Sequence, residues 1–278
     1  MKITCLQENL NFGLQTTGHL VNKNINLPIL NNVLLEAKEG SLKLSSTNLE
    51  IGISSVVRCK VEKEGSFTVD ARLLADYVNL LAKDQVNMEL LADDFMKIAC
   101  LSSETKMKGI VADDFPVIPQ IEKKDPFTIK ISDFKKALSQ VIFSVASSET
   151  RPEISGILMN FNKLSKNKLV MVGTDSYRLA EKFVELEKNE QEQEVIVPLK
   201  TLQELLRILG NLKDKADTPE NLEIYITENQ VLFTCANIEL ISRLLEGQYP
   251  DYKQIIPQET KTKIITSTSE LVKAIKKV

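Results

Sequence analysis

Short stretches in which apolar and polar residues alternate are interleaved along this chain with segments whose apolar residues recur every three or four positions. The interleaving occurs twice in full and begins a third time. Ile3-Thr4-Cys5 predicts a strand and runs into a helical stripe marked by Leu10, Leu14 and Thr17. Ile129-Lys130-Ile131 does the same ahead of Phe134, Leu138 and Val141, and Ile264-Ile265-Thr266 opens a third round ahead of Leu271 and Ile275. Each full copy then holds an apolar strand, Val33-Leu34-Leu35 or Ile157-Leu158-Met159, and a turn-like Thr47-Asn48 or Thr174-Asp175. A second strand-to-helix unit follows, over 67–74 and 195–202, and each copy closes on an aromatic-proline step, Phe115-Pro116 or Tyr249-Pro250. Landmarks in one order, at offsets of about 124 to 135 residues, predict a duplicated domain.

Within a copy, Leu42-Lys43-Leu44, Ile51-Gly52-Ile53, Val86 to Leu90 and Met96-Lys97-Ile98 fit half-buried strands, with Glu39-Gly40 and Asp93-Asp94 as turns. The second copy repeats them at 169–172, 222–226 and 231–233. Consecutive strands joined by short polar turns predict antiparallel sheets that carry two helices, an α+β class. The predicted boundaries are residues 1–124 for the first copy, 125–257 for the second and 258–278 for the start of the third.

The helices predicted over 133–145 and 201–209 carry basic residues off their apolar stripes, Lys135 and Lys136 in one and Arg207 in the other, with Lys200 just before the second. Arg72 stands in the first copy where Lys200 stands in the second. The bland reading is a set of solvated helix faces; recurrence at matched positions argues for a shared role. Composition changes this picture little. The formal net charge of −3 over 278 residues does not by itself call for a nucleic acid. No apolar run approaches the roughly 18 to 20 residues that span a bilayer, and the start lacks the apolar stretch of a signal peptide, so the expectation is a soluble, cytoplasmic protein. Four widely spaced cysteines read as small buried hydrophobes, and no Cys/His spacing suggests a metal. A lone histidine, His19, has no nucleophile signature to serve, and glycine-rich phosphate loops are missing. No catalytic residue, metal or cofactor is expected.

Three motifs then stand out in order: Leu27-Pro28-Ile29-Leu30-Asn31-Asn32, Gly173 to Ala180 (GTDSYRLA), and Gly247-Gln248-Tyr249-Pro250-Asp251-Tyr252. With their spacing, the chain resembles the beta subunit of bacterial DNA polymerase III along its whole length. That family is built from three similar domains per subunit, with outer antiparallel sheets and an inner pair of helices in each. Two subunits close head to tail around duplex DNA. The resemblance implies a non-catalytic processivity factor, with double-stranded DNA, a replicative polymerase, a clamp loader and repair proteins as partners. The chain resembles the first two domains and the opening of the third, and on that expectation it lacks one mating edge of the closed dimer.

The resemblance also implies two sets of site residues. A ring that slides needs attraction to phosphates without base contacts, which inward-facing cations supply. Arg72, Lys135, Lys136, Lys200 and Arg207 would face or flank the channel, and Arg151 lies in a loop matching a DNA-proximal one. Lys23 stands near the position of a basic residue that often precedes the Leu-Pro-Ile-Leu motif. The second set forms an apolar groove for short linear motifs between the second and third domains: Ile154, Thr174, Ser176, Tyr177, Arg178, Leu179, Pro250 and Ile255. Tyr177 departs from the histidine common there. Leu179 and Ile255, read without the resemblance, would be core residues. Two rival readings are an interaction scaffold that never meets DNA and a hydrolase of unrecognised type.

Overall fold

The computed structural model describes residues 1–20, 27–146, 150–187, 189–212, 219–257, 259 and 261–277. The first copy runs β1 (Lys2–Leu6), α1 (Gln7–Thr17), β2 (Asn32–Lys38), β3 (Ser41–Thr47), β4 (Ile51–Arg58), β5 (Lys60–Lys63), β6 (Gly65–Asp70), α2 (Ala71–Leu80), β7 (Gln85–Leu90), β8 (Phe95–Cys100) and β9 (Ser103–Ile110). The second runs β10 (Phe127–Lys130), α3 (Ile131–Ser139), β11 (Gly156–Phe161), β12 (Lys168–Thr174), β13 (Leu179–Glu185), β14 (Gln193–Pro198), α4 (Leu199–Asn211), β15 (Asn221–Ile226), β16 (Gln230–Cys235) and β17 (Ile238–Arg243). One helix follows, α5 (Thr268–Ile275).

The pairing confirms that the copies share a topology. Strands β4-β3-β2-β6 recur as β13-β12-β11-β14, and β1-β7-β8-β9 recur as β10-β15-β16-β17, every pair antiparallel. The copies are stitched by β17 against β4, with Leu240 opposite Ile53. That one ladder makes a single thirteen-stranded sheet of the whole first copy and half of the second.

Helices form where the apolar stripe can reach these sheets. In α3, Ile131, Phe134, Ala137 and Leu138 are buried, and in α4, Leu202, Leu205, Ile208 and Leu209. Leu206 is only half-buried. Helix α2 starts at Asp70, whose carboxylate accepts from the Leu73 N–H at 2.8 Å. One apolar core lies under α1 and α2; a second lies under α3 and α4 and takes in Ile51, Ile53 and Leu20 from the first copy. The seam between copies is therefore apolar as well as hydrogen-bonded.

The chain divides into two compact units, Met1–Gly247 and Gln248–Val278. Both copies up to β17 belong to the first. Two expectations are corrected. The helix foreseen over 133–145 ends at Ser139 and breaks into a separate 3-10 turn, Ile142–Ser144. The strand foreseen at Ile264-Ile265-Thr266 does not form, although the helix after it does. Strands β1 and β10 are held by ladder partners on β5, β7 and β15; residues 264–266 have no such partner here, and alternation alone does not fix an extended segment.

Candidate functional site

The two helices of each copy pack on one another, α1 with α2 and α3 with α4. Arg72, Lys136 and Lys200 are exposed on these helices, and Lys135 is half-buried. Lys23 lies outside the described residues. Helix α1 carries no lysine or arginine; its polar side chains include Glu8, Asn11 and Gln15. Cationic charge is thus concentrated on α3 and α4.

Arg207 is used differently from the others. Its Nε donates to Glu204 Oε2 at 2.9 Å, while Nη1 and Nη2 donate to the carbonyls of Gln15 (3.1 Å) and Thr16 (2.8 Å). Those carbonyls belong to the last turn of α1, where backbone acceptors lack helical partners and the helix dipole is negative. Glu204 also meets the ring of His19, just past α1. The only histidine and one of the expected DNA contacts therefore join α4 of the second copy to α1 of the first.

The motif Thr174 to Arg178 folds as a tight loop whose wiring is duplicated. Thr174 Oγ1 donates to the Arg178 carbonyl (2.8 Å) and accepts from Ser176 N–H (3.1 Å), while Asp175 Oδ1 accepts from the N–H groups of Tyr177 and Arg178, both at 3.0 Å. In the first copy, Thr47 Oγ1 donates to the Ile51 carbonyl (2.9 Å) and accepts from Leu49 N–H (3.0 Å), and Asn48 Oδ1 accepts from Glu50 and Ile51 at 3.0 and 2.8 Å. The third loop residue is left-handed in both, with φ of 75° at Ser176 and 76° at Leu49. Short hydroxyl and carboxylate or amide side chains are what such a turn requires. The amides of Arg178 and Tyr177, and then the Arg178 guanidinium, hold the Asp175 carboxyl below its ordinary pKa.

Around this loop, Ile154 and Thr174 are buried, Leu179 is half-buried, and Ser176 and Arg178 are exposed. Tyr177 is 98% exposed, so its ring stands free of the core. Arg178 pairs with Asp175 (Nε–Oδ2, 3.0 Å) and lies over the Phe143 ring, 5.6 Å from its centroid. Sequence reasoning missed Phe143; an aromatic residue following the α3 stripe, in a segment that could not continue it, was the available signal. Arg151 donates from Nη1 to Ser176 Oγ at 2.9 Å and pairs with Glu153 at 3.1 Å, which places it at this loop. Pro250 and Ile255 belong to the second unit, where Ile255 closes the 3-10 turn Tyr252–Ile255 and is 67% exposed, not a core residue.

Two family models match: the N-terminal domain of the DNA polymerase III beta subunit over residues 1–119, and its central domain over residues 128–251. The chain belongs to the DNA polymerase III beta subunit family. Among relatives of this beta clamp chain, the beta sliding clamp of Bacillus subtilis (strain 168) is 32% identical over 284 residues, which cover 99% of this chain and 73% of the relative. The crystal structure of the Bacillus subtilis DNA polymerase sliding clamp superposes with a TM-score of 0.92 at 31% identity, covering 100% of this chain and 73% of that one. A putative DNA polymerase III beta subunit from Eubacterium rectale also gives 0.92, at 28% identity and the same coverage. The function of this beta clamp chain is accordingly that of a DNA sliding clamp. Among its described residues no helix is long and apolar enough to cross a membrane, and no three His, Cys, Asp or Glu side chains converge as metal ligands.

Proposed function

We propose that this chain supplies consecutive arcs of a head-to-tail homodimeric ring that encircles duplex DNA, slides along it and tethers other proteins without chemistry of its own. The observation that carries this reading is the joint between the copies together with open edges of the matching types on each copy. Strand β17 meets β4 in an antiparallel ladder, and their counterparts in the repeat are β9 and β13. Among the described residues, β13 pairs on one side only, and β9 meets β6 only through Gly109 and Ile110, which leaves 103–108 open on that side. An edge of each type left open is what a heterologous, closing assembly of the same joint needs.

Duplex DNA would lie against the helices, held by Arg72, Lys135, Lys136 and Lys200 through phosphates and without sequence preference. Arg207 has its donors committed to Glu204 and α1, so this reading assigns it to the joint. The groove for linear motifs would be walled by Ile154, Thr174, Ser176, Tyr177, Arg178 and Leu179. Replicative polymerase, clamp loader and repair proteins are its proposed occupants. Apolar walls with a polar rim suit modest affinity and exchange of partners.

The reading is tested on nicked circular DNA. After loading, the full-length, ring-closed protein should stay bound in salt high enough to remove simple electrostatic binders, and leave when the circle is cut. Equal loss from circle and linear DNA would reject encirclement.

A further inference from the structure

We propose that Cys5 and Cys59 are a reversible dithiol–disulfide pair, oxidised by low-molecular-weight disulfides. Strand β1 meets β5 with Ile3 opposite Val61 and Thr4 opposite Lys60. The next step of that register sets Cys5 opposite Cys59, at the corner where the chain leaves β4 and enters β5. The Cys59 N–H donates to the Gly40 carbonyl at 3.1 Å, so it is not spent on β1. The step therefore has the character of a non-hydrogen-bonded antiparallel pair, whose Cα atoms lie about 4.5 Å apart with side chains on one face. Disulfides span Cα separations of about 4.4 to 6.8 Å.

Three further observations agree. Cys5 is buried in the core under α1 and α2, and Cys59 packs against that same cluster from a half-buried position. Burial first, and then the nearby Cys59, push the Cys5 thiol up to about 12. The other two cysteines, Cys100 and Cys235, lie on β8 and β16. Burial also raises Cys59, so exchange at neutral pH is slow and answers sustained oxidation, not brief pulses.

Cys59, the accessible thiol, attacks one sulfur of a disulfide RSSR, forming Cys59–S–SR and releasing RSH. The Cys5 thiol then displaces the second RSH as the Cys5–Cys59 bond forms. Two protein thiols are oxidised, one RSSR is reduced to two RSH, and each protein proton leaves with a departing thiol. The product ties the strand that launches α1 to the β4–β5 corner. A bond at so close a cross-strand step carries strain and is readily reduced again.

The test incubates the folded full chain with glutathione disulfide, then counts free thiols after denaturation and maps non-reduced peptides by mass spectrometry. The expected result is a fall from four thiols to two, a linked Cys5–Cys59 peptide, recovery with dithiothreitol and a thermal midpoint several degrees higher in the oxidised form. In Cys59→Ser, Cys5 should stay reduced. Four thiols remaining after prolonged incubation, a stable Cys59–glutathione adduct with Cys5 still free, or a linkage through Cys100 or Cys235 would each overturn the proposal.

Discussion

At the scale of single residues, a threonine hydroxyl and an Asx oxygen build the same loop in both copies, with Asp175 in one where Asn48 stands in the other. Thr174-Asp175 was legible from the repeat, but the left-handed Ser176 and the bare Tyr177 ring were not, because exposure depends on neighbours far away in sequence. Asp175 makes the loop sensitive to acid. Its folded-state pKa lies below the ordinary aspartate value, so its contribution is complete above about pH 3.9 and is lost as pH falls through the lower, folded value. The Tyr177 and Arg178 amide resonances should therefore titrate in acid, and Asp175→Asn should abolish that titration while the Thr47 loop is unchanged. Arg207 shows the opposite limit of sequence reading. Its position among the cations suggested DNA, while its guanidinium serves two α1 carbonyls 191 and 192 residues away. Replacing it by Gln should cost about 2 kcal/mol in denaturant unfolding. The salt slope of DNA binding should hold in that variant and fall by about 1 in Lys136→Gln. Equal slopes for the two variants would return Arg207 to the DNA surface.

At the scale of elements, the periodic segments were legible because a period of two or 3.6 names the buried face directly, as in β2, β3, α3 and α4. What failed was whatever needed a partner. Ile264-Ile265-Thr266 alternates as well as Ile3-Thr4-Cys5 does, yet only the latter is laddered. The joint between β6 and β9 depends on one close approach that no pattern reveals. A Cβ on Gly109 would stand 1.9 Å from the Thr68 carbonyl oxygen and 2.4 Å from the Phe67 ring. Gly109→Ala must push the two strands apart, and a loss of about 1 to 3 kcal/mol is expected from thermal or denaturant unfolding. An unchanged midpoint would show that the sheet tolerates separation there.

At the scale of the whole molecule, duplication was readable from landmarks hundreds of atoms apart, whereas the ladder between β17 and β4 was not, since nothing in either strand names the other. That ladder joins two similar domains into one continuous sheet with a further edge of each kind. The cations cluster on α3 and α4, so electrostatic attraction to a duplex should come more from the second copy than from the first. Paired Gln substitutions at Lys135 and Lys136 should reduce the salt slope about twice as much as Arg72→Gln. The most direct measurement remains retention on nicked circular DNA after loading, read before and after the circle is cut. Salt-resistant retention of the full-length, ring-closed protein on the circle and its release on linearisation are expected; departure from both forms at the same salt concentration, or retention on both, would contradict encirclement.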